Sequence, residues 1–154
     1  MKKTYSIFMA ACLFMVILVS NNNAMAHGGD PTPNVKAVTH FKKTFPGVIN
    51  VSWHYLSNGY LARYVLDGVD NRVYYDKEGN WDGSWLYYNE TKIPGEIQQP
   101  LKSAYPAYRI AGLEKIEASS QLPIYIAHLE DAVSIKVVYI CDGQVSVKDE
   151  YLKP

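Results

Sequence analysis

The sequence predicts an α+β fold made of two tandem repeats, each one helix followed by a four-stranded antiparallel sheet. Three observations predict it. The stretch Phe41 to Tyr55 (FKKTFPGVINVSWHY) reads as a short amphipathic run, an aromatic-Pro stop and an alternating apolar strand. Sixty residues on, Leu101 to Lys115 (LKSAYPAYRIAGLEK) repeats the design, with Tyr105-Pro106 where Phe45-Pro46 stood. That period is longer than a solenoid repeat and points to duplicated half-domains. After each stop, short runs rich in Val, Tyr and Ile alternate with turn-forming Asn, Asp and Gly, the pattern of successive hairpins.

The chain of 154 residues opens with Lys2 and Lys3, an apolar run from Ile7 to Val19 and a polar stretch ending in Ala24-Met25-Ala26. This is the layout of a secretory signal peptide, and the run is short for a membrane span. Residues 1–26 are therefore expected to be removed by cleavage after Ala26. A competing reading ends a lipoprotein signal at Cys12, where Met9-Ala10-Ala11-Cys12 loosely mimics a lipobox, but few apolar residues precede that cysteine. Cleavage takes away two of the fifteen basic residues and none of the fifteen acidic ones, so 13 against 15 leaves a net charge of −2. A near-neutral, Tyr-rich chain gives no electrostatic case for nucleic acid. Cys141 is then the one remaining cysteine, so folding in an oxidising compartment proceeds without an internal disulfide. The mature product is expected to be soluble, periplasmic or extracellular, and not membrane-spanning.

Residues 27–34, which include His27-Gly28-Gly29-Asp30-Pro31-Thr32-Pro33, read as a flexible lead-in. The first repeat is placed at 35–90. Thr32-Pro33 resembles an N-cap and first-turn proline, and Val38, Phe41 and Phe45 fall at helical spacing. From Val48 to Leu56, Val51, Trp53 and Tyr55 alternate with Asn50, Ser52 and His54, a strand with one buried face. Asn58-Gly59 has the composition of a tight hairpin turn with positive φ. Tyr60 to Leu66, Arg72 to Asp76 and Trp81 to Tyr88 are the next strands, separated by DGVDN and DKEGN loops. The second repeat is placed at 91–154. Its helix is expected from about Glu96 to Tyr105, with Pro100 forcing a late start or a kink. Strands follow at Tyr108 to Ala118, Ile124 to Glu130, Ile135 to Ile140 and Val145 to Glu150. Asp142-Gly143 closes the last hairpin, matching Glu78-Gly79 at an offset of 64.

Taken in order, the aromatic-Pro helix end, the Trp-bearing strand, NGYLARYVL, VYYDKEGNW, IPGEI, AYPAYRIAGLEK and KVVYICDGQV resemble the PepSY-like secreted proteins described as beta-lactamase-inhibitor-like. The likeness runs from about Val35 to Tyr151. It implies two helix-plus-four-strand units whose sheets associate as in the beta-lactamase inhibitor protein, and it implies no catalytic residues.

Period-two alternation assigns the faces. Setting Ala62 in register with Ala127 puts Tyr60, Ala62, Tyr64, Tyr125, Ala127 and Leu129 under the helices, where a small residue permits close approach. The same rule gives Val51, Trp53, Val73, Tyr75, Trp81, Val137 and Tyr139 to that side. The opposite face then collects His54, Arg63, Arg72, Tyr74, Tyr88, His128, Lys136 and Lys148, with Leu61, Val65, Ile126 and Val138 among them. Aromatic, aliphatic and cationic groups together are the composition of a protein-binding patch; an ordinary solvated sheet face is the plainer account. The expected function is a non-enzymatic binding protein, an inhibitor or modulator of another envelope protein. The alternative is a carbohydrate or small-ligand binder using Trp85, Tyr87 and Tyr88, whose rings could stack on a sugar.

Other chemistry finds little support. There is no phosphate loop, nucleophile elbow or His-Glu-x-x-His pattern. Cleavage after Ala26 would make His27 an N-terminal copper chelator in principle, yet no second imidazole stands at a defined spacing. Asp76 to Asp82 is rich in oxygen donors but lacks the EF-hand order. Glu114 and Glu117 are read as neighbours on one strand face, solvated rather than catalytic. Cys141 reads as a small buried residue. No metal, cofactor or catalytic residue is expected.

Overall fold

The computed structural model describes residues 32–154. The expected leader 1–26, Cys12, the cleavage site after Ala26 and His27 lie outside the described residues. Helix α1 (Val35–Thr44) is followed by β1 (Ser52–Leu56), β2 (Gly59–Leu66), β3 (Val69–Asp76) and β4 (Trp81–Asn89). A short 3-10 turn, Glu90–Lys92, then leads to α2 (Gly95–Ala104), β5 (Arg109–Ala118), β6 (Ile124–Glu130), β7 (Ser134–Cys141) and β8 (Gln144–Leu152).

The strands correct the expected architecture. All eight form one antiparallel sheet in the order β1 to β8, so the fold remains α+β but is not two tandem repeats with a sheet each. Strands β4 and β5 pair along their length, from Asn89 opposite Gly112 to Gly83 opposite Ala118. Two separate sheets would leave two further edges of unpaired N–H and C=O groups. Joining them removes both.

The helices form for local reasons. The Asn34 side chain, two residues after the expected N-cap Thr32, accepts a hydrogen bond from the Lys36 backbone N–H at 2.8 Å. Lys42 and Lys43 stand in the last turn of α1, where cations complement the helix dipole. Phe45 ends the helix because the residue before a proline is pushed out of the helical region. Tyr105 does the same for α2, and the two caps share nearly one backbone conformation, φ −124° and ψ 62° against φ −131° and ψ 63°. Pro100 sits inside α2, which starts at Gly95 in spite of it; the helix lacks one backbone donor there.

Both helices pack on the same face of the sheet. Under α1, Ala37, Phe41, Ala62, Tyr64, Val73 and Tyr75 are buried, with Phe45, Val51, Trp53 and Trp81 against them. Phe41 is the hub, with ring centroids 5.1 Å from Phe45, 5.6 Å from Trp53 and 5.5 Å from Tyr64, separations at which aromatic pairs attract. Under α2 lie Ile93, Leu101, Ile110, Leu113, Ala127, Leu129 and Val138, joined by Tyr88, Tyr105 and Tyr108. Ala62 and Ala127 have no exposed surface.

The hairpin turns at Gly79 and Asp142-Gly143 carry positive φ as expected, and so does Asp67-Gly68. Gly59 is instead the buried first residue of β2, where an added Cβ would overlap the carbonyl oxygen of Tyr75. Its role is close backbone approach rather than turn geometry.

Candidate functional site

Opposed residues in a sheet share a face, so the register identifies the side away from the helices. It carries His54 on β1, Leu61, Arg63 and Val65 on β2, Asp70, Arg72 and Tyr74 on β3, and Trp85 and Tyr87 on β4. It continues with Glu114 and Ile116 on β5, Ile126 and His128 on β6, and Tyr139 on β7.

Across its middle runs a connected belt. The Arg63 guanidinium donates to both oxygens of Asp70, Nε to Oδ1 at 3.0 Å and an NH2 group to Oδ2 at 2.9 Å, a bidentate pair that fixes direction as well as charge. Arg72 reaches the same Oδ2 at 3.4 Å and donates to the Tyr87 hydroxyl at 3.3 Å. Its guanidinium carbon stands 4.3 Å from the Tyr87 ring centre, a cation–π contact, and its Nε is buried with no hydrogen-bond partner among the described residues. The Tyr87 ring lies nearly parallel to Trp85, centroids 5.6 Å apart at 14°. Trp85 Nε1 donates to Glu114 Oε2 at 2.9 Å, and Glu114 Oε1 lies 3.1 Å from His128 Nε2. Arg63, Asp70, Arg72, Tyr87, Trp85, Glu114 and His128 thus link five strands.

The belt's electrostatics follow from these contacts. Burial alone would push the Asp70 carboxyl up, but the hydrogen bonds and charge of Arg63, with Arg72 beside it, outweigh that and hold it below the usual carboxylate range. Asp70 in turn raises the Arg63 guanidinium. Burial pushes the Tyr87 phenol up to about 12 and raises that of Tyr74. The hydrogen bond that His128 donates to Glu114 raises its imidazole, and burial only partly opposes it.

His54, Arg63, Arg72, Tyr74 and His128 lie on this face. Three residues assigned to it lie elsewhere. Tyr88 packs in the core under α2, because adjacent residues of one strand point to opposite sides and Tyr87 holds the open side. Val138 is fully buried in the same core. Lys136 pairs with Leu129 on the helix side, its ammonium 5.2 Å from the Tyr108 ring centre and 2.5 Å from Glu150. Val137 and Tyr139, assigned to the helix side, face away from it. Lys148 is the extra residue where the β7–β8 register shifts, between Val147 opposite Val138 and Asp149 opposite Val137. Of the three aromatics in the alternative, Trp85 and Tyr87 share the open face and Tyr88 does not. Glu114 and Glu117 also separate: Glu114 opposes Tyr87 on the open side, while Glu117 opposes Ser84 on the helix side.

Asp70 and Glu114, the two anions that tie the belt together, are outside the site expected from sequence. Asp70 falls in the expected DGVDN loop but belongs to β3, two residues before Arg72 on the same face, and Glu114 reads from sequence as merely solvated. Among the described residues no group of three His, Cys, Asp or Glu side chains gathers as a metal site requires, and no helix is long and apolar enough to cross a membrane.

No family model and no curated protein matches the chain. Several solved structures do. A BLIP-like protein from Bacteroides fragilis NCTC 9343 is 19% identical, with a TM-score of 0.61 over 81% of this chain and 89% of that one. A DUF2874 family protein from Bacteroides ovatus ATCC 8483 is 15% identical, with a TM-score of 0.59 over 79% and 89%. A candidate periplasmic protein from Bacteroides eggerthii DSM 20697 is 13% identical, with a TM-score of 0.58 over 79% and 90%. At these identities the likeness is one of fold: a single eight-stranded antiparallel sheet with two helices, of the BLIP-like kind.

Proposed function

We propose that this protein is a non-enzymatic binding protein of the periplasm or cell exterior, akin to the PepSY-like secreted proteins, that inhibits or modulates another envelope protein through the open face of its sheet. The observation that carries the reading is the belt from Arg63 to His128. Its charges are already paired and its aromatic rings already stacked. A partner would therefore meet oriented Arg and aromatic groups without first ordering them, which lowers the cost of association. Arg, Trp and Tyr are also the residue types that concentrate binding energy at interfaces. Leu61 and Val65 add apolar area beside them.

The test is capture of envelope proteins on the immobilised chain, compared with Arg63→Glu combined with Val65→Asp, two positions exposed on this face. A partner held by wild type and lost by the variant supports the proposal. A partner held equally by both sinks it.

A second reading, a glycan stacked on Trp85 and Tyr87, draws on their parallel rings. Against it, the Arg72 guanidinium already occupies one side of Tyr87. Saturable signals on a glycan array, abolished by Trp85→Ala and absent from the protein capture, would favour this reading over the first.

A further inference from the structure

The sheet has two edges, and they are unlike. Strand β1 is five residues long, whereas β8 runs nine residues with every one exposed and no proline to interrupt it. A long unpaired edge of this kind is a template for another strand. Pairing with β7 sets Val145, Val147, Glu150 and Leu152 on the helix side, and Ser146, Asp149 and Tyr151 on the open side. The core under α2 reaches Val138 and Ile140 on β7, and the next apolar stripe outward stays exposed, Leu152 at 83% and Val147 at 47%.

We propose that β8 pairs with β8 of a second copy of this chain, antiparallel about a two-fold axis between Lys148 and Asp149, so that the sheet continues across two subunits. Opposed residues must share a face. A regular strand cannot meet itself about an axis between two residues, because every opposed pair would then join opposite faces. The extra residue at Lys148 inverts the alternation once and removes the conflict. About this axis Val145 meets Leu152 and Val147 meets Glu150 on the helix side, Ser146 meets Tyr151 on the open side, and Lys148 meets Asp149 twice at the centre. Moving the axis one residue, to between Val147 and Lys148, keeps the outer pairs on matched faces but sets Val145 against Glu150 and Val147 against Lys148. The first register sets Val145 against Leu152 and cation against anion at the centre, with Val147 against Glu150 its one mixed pair. It is isologous, as a two-fold dimer must be.

This inference is independent of any partner on the open face. The experiment is sedimentation velocity over a concentration series on the exported protein purified from the envelope fraction. A reversible dimer is expected. Lys148→Asp alone, or Asp149→Lys alone, makes both central pairs like-charged and weakens association about tenfold. The double variant Lys148→Asp/Asp149→Lys restores opposite charges in this register and recovers the dimer, which also shows that the singles failed by charge rather than by misfolding. A monomer at every concentration overturns the proposal and leaves the edge to a strand of another protein. So does a dimer indifferent to both single substitutions, or a double variant that fails to recover.

Discussion

Glu114 joins Trp85 to His128 in the belt, and its charge can be removed without changing its shape. In Glu114→Gln the side-chain oxygen can still accept from Trp85 Nε1, now 2.9 Å from Oε2, but the attraction for a protonated His128 is gone. In the wild type the His128 imidazole holds its proton more tightly folded than unfolded, chiefly through the hydrogen bond it donates to Glu114. Its contribution to stability is therefore full below the unfolded value of about 6.5 and is lost as pH rises through the higher folded value. The His128 side chain is 40% exposed and that of Glu114 22%, so solvent screens the pair and about 0.5–1 kcal/mol is the expected scale. For a domain of this size that is about 2–4 °C in melting temperature. The assay is thermal unfolding of wild type and Glu114→Gln at pH 5.5 and 8.5, with the His128 titration followed by NMR. The variant should be less stable at pH 5.5 and equal at pH 8.5, and its imidazole should fall below the ordinary value, because burial still acts on it. Glu114→Ala should lose about 1 kcal/mol more at both pH values, from the unsatisfied Trp85 N–H. Equal losses at both pH values in Glu114→Gln, or an unmoved His128 titration, would refute the assignment.

Other expectations concern the scaffold. Leu129→Ala removes a side chain with no exposed surface under α2 and should cost about 3 kcal/mol in chemical denaturation; Val65→Ala, at 66% exposure, should stay within about 0.5 kcal/mol. Gly59→Ala drives a methyl into the Tyr75 carbonyl and should cost about 2–3 kcal/mol by the same measurement, since backbone on both strands must move. Asp131 accepts from the backbone N–H groups of Val133 at 2.8 Å and Ser134 at 2.6 Å, which holds its carboxyl below the usual range. Asp131→Ala should therefore melt below wild type at neutral pH. The two curves should converge as pH falls below about 3.9 and through the lower folded value, where the wild type loses these bonds as well.

What the sequence disclosed was local. The helix ends were legible at Phe45-Pro46 and Tyr105-Pro106, because a proline restricts the residue before it whatever the surroundings. Alternation placed Trp53, Ala62 and Ala127 under the helices for a similar reason. The face of β7 was not legible. Ala62 and Ala127 are 65 residues apart, while the Gly79 and Gly143 turns are 64 apart, and one residue of slip inverts every side chain beyond it. Alternation alone puts Val137 and Tyr139 inward and Lys136 and Val138 outward, each on the wrong side. The register shifts at Tyr74/Tyr75, Ile110/Gly112 and Val137/Val138 are where such slips accumulate. Nothing in the composition of those steps announces them, since a bulge is decided by the partner strand.

The continuity of the sheet was the least legible feature and the one on which the site depends. Arg63, Asp70, Arg72, Trp85 and Tyr87 come from β2 to β4, while Glu114 and His128 come from β5 and β6. Pairing of Tyr87 with Glu114 and of Trp85 with Ile116 across the β4–β5 junction brings the Glu114 carboxylate within reach of the Trp85 indole. Two separate sheets would break the belt there, leaving an Arg–Asp–Tyr cluster on one and a His–Glu pair on the other. On the proposed reading, recognition by the open face is therefore a property of the junction. A substitution that loosens β4 from β5 should weaken partner binding more than one of equal cost to stability placed at β1. Gly83→Val is the natural choice, because a Cβ at Gly83 would lie 2.7 Å from the Glu117 carbonyl oxygen across that junction. Equal loss of partner binding from a β1 variant matched for melting temperature would detach the site from the junction.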